Sequence, residues 1–166
     1  MSELNDYVNA VVGQIASSFE GRLSLVAPYR VENLVTPAAL VAVENLEQSP
    51  DAVSDGRLSM EVSLAVHCIL SHKTPNLEQA LDSFSQQVAV LAHGNYWGLD
   101  FVHLPPKQIQ IFPGELTPKL HAVDSRIVLW QQTLLLDQAV WDFDTLVEEF
   151  HFANVQDDSE EVVFHV

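Results

Sequence analysis

From Ser2 to Phe19, apolar residues recur at helical spacing. Leu4, Tyr7, Val8, Val11, Ile15 and Phe19 share one side of a helix. Ser2 is placed to cap its start, Glu3 suits its first turn and Gly21 suits its stop. Leu23 to Val31 then reads as a short extended piece interrupted by Pro28. Thr36-Pro37 opens a run from Ala38 to Leu46, rich in Val, Leu and Ala, with the length of a buried strand. Gln48 to Gly56 (QSPDAVSDG) carries loop chemistry. The pattern then changes to strict alternation. Leu58, Met60, Val62, Leu64, Val66, Cys68 and Leu70 fall on one face, and Ser59, Glu61, Ser63, Ala65, His67 and Ile69 on the other. This predicts a long half-buried strand, forming a hairpin with the Ala38–Leu46 run. Strands of this length tend to project past a domain body, where a free edge recruits a neighbour.

A second amphipathic helix is predicted after Pro75. Asn76 is its N-cap, with Gln79 three residues on as in a capping box, and Leu77, Leu81, Phe84, Val88 and Leu91 form its apolar stripe to a stop at Gly94. Lys107 to Phe112 alternates, with Ile109 and Ile111 on one side, and Pro113-Gly114 is a turn. Ala122 to Leu136 predicts the last strand. Ile127, Leu129, Gln131, Thr133 and Leu135 share one face; Arg126, Val128, Trp130, Gln132, Leu134 and Leu136 share the other. Both faces carry apolar residues, so one is expected to meet the helices and the other a partner subunit. Helix, strands, helix, strands, without βαβ repetition, predicts an α+β fold: an antiparallel or mixed sheet with long strands packed against two main helices.

Residues 1–136 thus form one α+β domain, and 137–166 differ in kind. Those last 30 residues hold nine acidic residues and no Lys or Arg, interleaved with Trp141, Phe143, Leu146, Val147, Phe150, Phe152 and Phe164. Such an acidic extension either docks on a surface or orders on assembly; a short helix near Thr145–Phe150, packed on its own domain, is the other reading.

Charge sharpens the picture. Seven Lys and Arg face 23 Asp and Glu, for a formal net charge of −16 in 166 residues. That argues against gripping nucleic acid through its phosphates and against docking on anionic membranes. It is compatible with a surface past which DNA slides, and equally with simple solubility. No stretch approaches the roughly 18 apolar residues that would span a bilayer. The acidic start MSELNDYVNA lacks the basic and apolar regions of a signal peptide, so a cytoplasmic site of synthesis and residence is expected.

Candidate chemistry adds little. The lone Cys68 cannot form an internal disulfide, and in a strand its neighbour His67 points the opposite way. There is no phosphate-binding glycine loop, nucleophile elbow or CxxC. The histidines at 67, 72, 93, 103, 121, 151 and 165 form no close ligand pair. Asp142 and Asp144, and the run Asp157, Asp158, Glu160 and Glu161, read as solvated acids rather than a cation loop. No catalytic, cofactor-binding or metal residues are therefore assigned, and no cofactor is expected. Arg126, Trp130, Trp141 and Phe143 are the candidate interface residues, since tryptophan and arginine are frequent anchors between subunits.

The layout resembles a known family. A helix leads to "VENLVTPAALVAVENLE", then "RLSMEVSLAVHCIL", the helical "TPNLEQALDSFSQQVAVLAHG" and "HAVDSRIVLWQQTLLL". In element order and texture, residues 2–136 look like the small tail terminator, or tail completion, proteins of tailed bacteriophages and phage-like contractile particles. That resemblance implies a structural virion protein, not an enzyme, assembled in the host cytoplasm and residing in the neck. It implies a homohexameric ring that caps the tail tube, and the sheath where the tail contracts. The ring stops polymerisation and presents a surface to the head connector or stopper. DNA passes through the lumen without specific binding, and no membrane is involved. The alternatives are another neck protein (a head–tail connector or stopper), a cytoplasmic adaptor using the acidic tail, or a small hydrolase using Asp142, Asp144 or a histidine.

Overall fold

A computed structural model describes residues 2–29, 33–50, 55–114 and 122–137. Helix α1 spans Glu3–Ser18. Ser2 caps it, its hydroxyl accepting from the Asn5 amide at 3.2 Å, and Glu3 and Asp6 lie in the positive first turn. Tyr7, Val11 and Ile15 form its buried side. The chain leaves α1 through two left-handed residues, Glu20 and Gly21. Arg22 folds back there, donating from Nε to the Phe19 carbonyl at 3.0 Å, where the negative end of the helix dipole favours a cation.

Four strands share the chain with β1 (Leu25–Pro28): β2 (Ala38–Gln48), β3 (Leu58–Ser71), β4 (Lys107–Pro113) and β5 (Val123–Leu136). Helix α2 (Leu77–Ala92) connects β3 to the segment before β4. The spatial order is β1-β2-β3-β5-β4. β1 runs parallel to β2, and all the other pairs are antiparallel, so the sheet is mixed. The fold is α+β, as the pattern predicts.

The centre of the sheet is the β3–β5 pair. It runs unbroken from Leu58↔Leu136 to Ser71↔Val123. Its register gathers Val62, Leu64, Val66 and Cys68 with Val128, Trp130 and Leu134 on one face. Both helices lie against that face: Tyr7, Val11 and Ile15 of α1 and Leu81, Phe84 and Val88 of α2 join the same core cluster. Burying this apolar set, at roughly 25 cal/mol per Å², is the main force holding helices to sheet. The other face carries a smaller cluster, Ala38, Leu40 and Ile69, with Leu25, Ala27, Leu34 and Val123 packed beside it.

Three local expectations need correction. Asn76 precedes α2 but does not cap it through its side chain. Its backbone is left-handed (φ 51°), whereas a capping side chain is delivered from an extended residue. In β4, alternation is interrupted by an irregularity between Lys107 and Gln110, with Gln108 at φ 54°. Ile109 packs on the core while Ile111 stays exposed. Finally, β3 and β5 are the longest strands but are paired on both sides; among the described residues the free edges belong to β1, to β4 and to the part of β2 beyond β1.

Candidate functional site

Trp130 sits on β5 with its side chain turned to the helices, 0% exposed. It stacks on Trp97 with ring centroids 5.8 Å apart and planes 13° from parallel. Its Nε1 donates to the Tyr7 hydroxyl at 2.9 Å, which donates to Gln132 Oε1 at 2.8 Å. Trp97 Nε1 donates to the same oxygen at 2.9 Å. Gln132 Nε2 donates to the Asn95 and Leu104 carbonyls, both at 2.9 Å. Trp130 is thus an internal residue, which corrects its assignment as a subunit anchor: no part of it is available to a second chain. The network ties α1, β5 and the loop after α2 together, and every polar atom of the Gln132 side chain is used. Burial pushes the Tyr7 hydroxyl pKa well above its ordinary value, so it is a neutral donor and acceptor.

Arg126 lies on the same face of β5, four residues before Trp130. Its Nη2 meets Glu78 Oε2 at 2.6 Å and Asp82 Oδ1 at 3.2 Å, joining β5 to the first turns of α2. Chiefly through its hydrogen bond to Glu78, the guanidinium is held above its ordinary pKa. Its contacts are therefore intramolecular. Trp141 and Phe143, together with the acidic extension to which they belong, lie outside the described residues.

Cys68 and His67 point to opposite faces, as alternation requires. Cys68 is inside the core, where burial raises its thiol pKa and leaves it a neutral, inert hydrophobe. His67 lies on the second face, with the Tyr29 ring 4.7 Å away and Glu44 Oε1 3.8 Å from its Nε2. Burial depresses its pKa, and Glu44 opposes that shift. Among the described residues, no group of three or more His, Cys, Asp or Glu is arranged to hold a metal ion. Among them, too, no helix is long and apolar enough to cross a membrane.

Two surfaces remain. The second face of the sheet carries Ile127, Leu129, Gln131, Thr133 and Leu135 of β5 beside Ser59, Glu61, Ala65 and Ile69 of β3. Neither α1 nor α2 packs there. Even so, Ala65, Ile69, Thr133 and Leu135 are buried, and the hydroxyls of Ser59 and Thr133 are enclosed without hydrogen-bond partners. Glu61 is buried beside them and meets Lys107 Nζ at 2.6 Å across β5.

The second surface is the outer part of β2. From Val43 to Gln48 every residue is exposed, although the strand continues to pair with β3. Val43 and Leu46 stand on the helix-side face and are 39% and 40% exposed. Glu44 and Glu47 stand on the other. The spacing of three within each pair comes from the register shift between Val43 and Asn45. Sequence patterning ends this strand at Leu46 and does not single out Glu44 or Glu47. The repeated pairing of an apolar residue with an acid in "VENLEQ" is the signal that would have found them.

Compared with known proteins, the chain matches no protein-family model and no curated protein.

Proposed function

We propose that this protein is a structural component of a phage or phage-like particle, acting as tail terminators do: a ring of identical subunits that caps the tail tube, halts its growth and offers a face to the head side. The observation that carries the proposal is the one-sided layering of the sheet. Two helices cover one face; on the other, with no helix of the described residues on it, Ile127 and Leu129 of β5 stay half-buried beside the buried Ala65, Ile69 and Leu135. A sheet of this kind, with both edges open among the described residues, is suited to continue from subunit to subunit, and ring closure satisfies edges that a monomer leaves unpaired. The net charge of −16 supports a lumen through which DNA moves without adhering.

Native mass spectrometry and negative-stain imaging of the purified full chain test this directly. A closed ring, with assembly onto added tail tubes, is the expected outcome. A monomer at micromolar concentration that ignores tail tubes would remove the proposal.

A further inference from the structure

We infer that the outer edge of β2, from Ala42 to Gln48, is a strand-addition site for an extended segment of another protein in which Lys or Arg alternates with apolar residues. It stands apart from the ring proposal, because the edge is read by a peptide assay whether or not the protein forms a ring.

The first ground is backbone geometry. β1 pairs with β2 only from Ala38 to Val41, and the Tyr29 amide, donating to the Val41 carbonyl at 2.8 Å, is the last described bond to that edge. Beyond it, no strand among the described residues pairs with the outer side of β2. The Val41 carbonyl faces β1, and the Ser49 amide faces β3, donating to the Ser59 carbonyl at 2.8 Å. Alternation between these two fixed points, reset at the register shift, directs the peptide groups of Val43, Leu46 and Gln48 outward. They form a row of donors and acceptors held in strand geometry by β3.

The second ground is the chemistry of the two faces. Val43 and Leu46 offer apolar contact on the helix side. Glu44 and Glu47 offer negative charge on the other, with Glu61 directly across from Glu47 on β3. Because two residues at the bulge oppose one on a neighbouring strand, the positions opposite Val43 and Leu46 fall two apart on an incoming regular strand, on one face. Its other face then meets Glu44 and Glu47. Cross-strand pairing of opposite charges stabilises and of like charges destabilises. The occupant therefore alternates cation and apolar residue.

The same rule excludes nearer candidates. A second copy paired through this edge about a two-fold axis normal to the sheet would gather Glu44 and Glu47 of both copies on one face, four acids without a cation among them. Residues 137–166, with nine acids and no Lys or Arg, carry the wrong charge for the acidic flank.

The test uses the full chain and two peptides of one composition, acetyl-Lys-Val-Lys-Val-Lys-Val-Lys-amide and an isomer with its lysines and valines in two blocks. Calorimetric titration at about physiological salt is expected to give at least tenfold tighter binding of the alternating peptide, since screening there reduces non-specific attraction. Hydrogen exchange is expected to slow at the outward amides of Val43, Leu46 and Gln48. Glu44→Lys with Glu47→Lys, both on exposed positions, is expected to weaken binding at least tenfold while leaving the circular dichroism spectrum unchanged. Equal binding of the blocked isomer, indifference to the charge reversal, or protection at another strand overturns the inference. So does concentration-dependent dimerisation that protects the same amides without peptide, which would make the occupant a second copy.

Discussion

Gln132 carries more of the interior than any other polar residue described. Its carboxamide oxygen accepts from both Tyr7 and Trp97, and its nitrogen serves two carbonyls. Gln132→Leu leaves two buried donors and two acceptors without partners, and unsatisfied buried groups cost about 1–3 kcal/mol each. We expect a loss of several kcal/mol in urea unfolding, well beyond the roughly 1–3 kcal/mol expected of Tyr7→Phe, which orphans the Trp130 indole. Equal losses in the two variants would show that the network is not organised around Gln132. His67 gives a second prediction at this scale. Its folded-state pKa lies below its ordinary 6.5, so the unfolded chain binds the proton more readily. The stabilising contribution of a neutral His67 is complete above pH 6.5 and is lost as pH falls from there through the folded-state pKa. The unfolding midpoint should fall over that window in the native chain, and His67→Gln should flatten the fall. An NMR titration placing His67 above 6.5 would reverse the sign.

At the scale of elements, α1 and α2 are held by different means. α1 is attached by its apolar side, so Ile15→Ala should cost about 2–5 kcal/mol, as large-to-small core changes do. α2 has, besides its apolar stripe, the Arg126 clamp on Glu78 and Asp82. Both acids are largely exposed, so Arg126→Met should cost only about 1 kcal/mol or less, and less still in 1 M salt. A salt-independent loss of several kcal/mol would mean that Arg126 acts through packing instead. The elements themselves were legible in the sequence wherever a period ran long: both helices, the alternating faces of β3 and β5, and the β2–β3 hairpin follow from hydrophobic spacing alone. What spacing does not encode is the sign of φ and the identity of the neighbour. Asn76 and Gln108 adopt left-handed backbones that no hydrophobic pattern reports, and the parallel pairing of β1 with β2 is a choice of neighbour and direction that composition leaves open. Trp130 was legible in its face, shared with Val128 and Leu134. That face turned out to be the core, so its aromatic surface marks an interior and not an interface.

For the whole molecule, the consequence of these placements is asymmetry. One side of the sheet is sealed by helices and pinned by hydrogen bonds; among the described residues the outward-facing features are the half-buried Ile127 and Leu129 on the second face, the edges of β1 and β4, and the exposed outer part of β2. If the ring proposal holds, substitutions on the second face, such as Leu129→Asp, should leave the monomer's spectrum intact and abolish the higher-mass species in native mass spectrometry. A ring that survives this change would move the contact to the edges. The candidate surfaces were only partly legible. The sequence pointed to long strands as the suppliers of free edges, yet pairing order decides which edges remain, and pairing order is a property of the folded sheet.

The order β1-β2-β3-β5-β4 also sets a timetable. During synthesis the β2–β3 hairpin and α2 emerge early, but β5, which separates β3 from β4, comes last among the described strands. Until it arrives, β3 presents a full-length bare edge flanked by Leu64 and Val66, and β4 has no partner at all. Sheets closed by such distant pairings fold slowly and pass through states prone to aggregation. A nascent chain stalled before residue 122 should therefore be the species most in need of a chaperone, and release of β5 from the ribosome the event that makes the domain soluble.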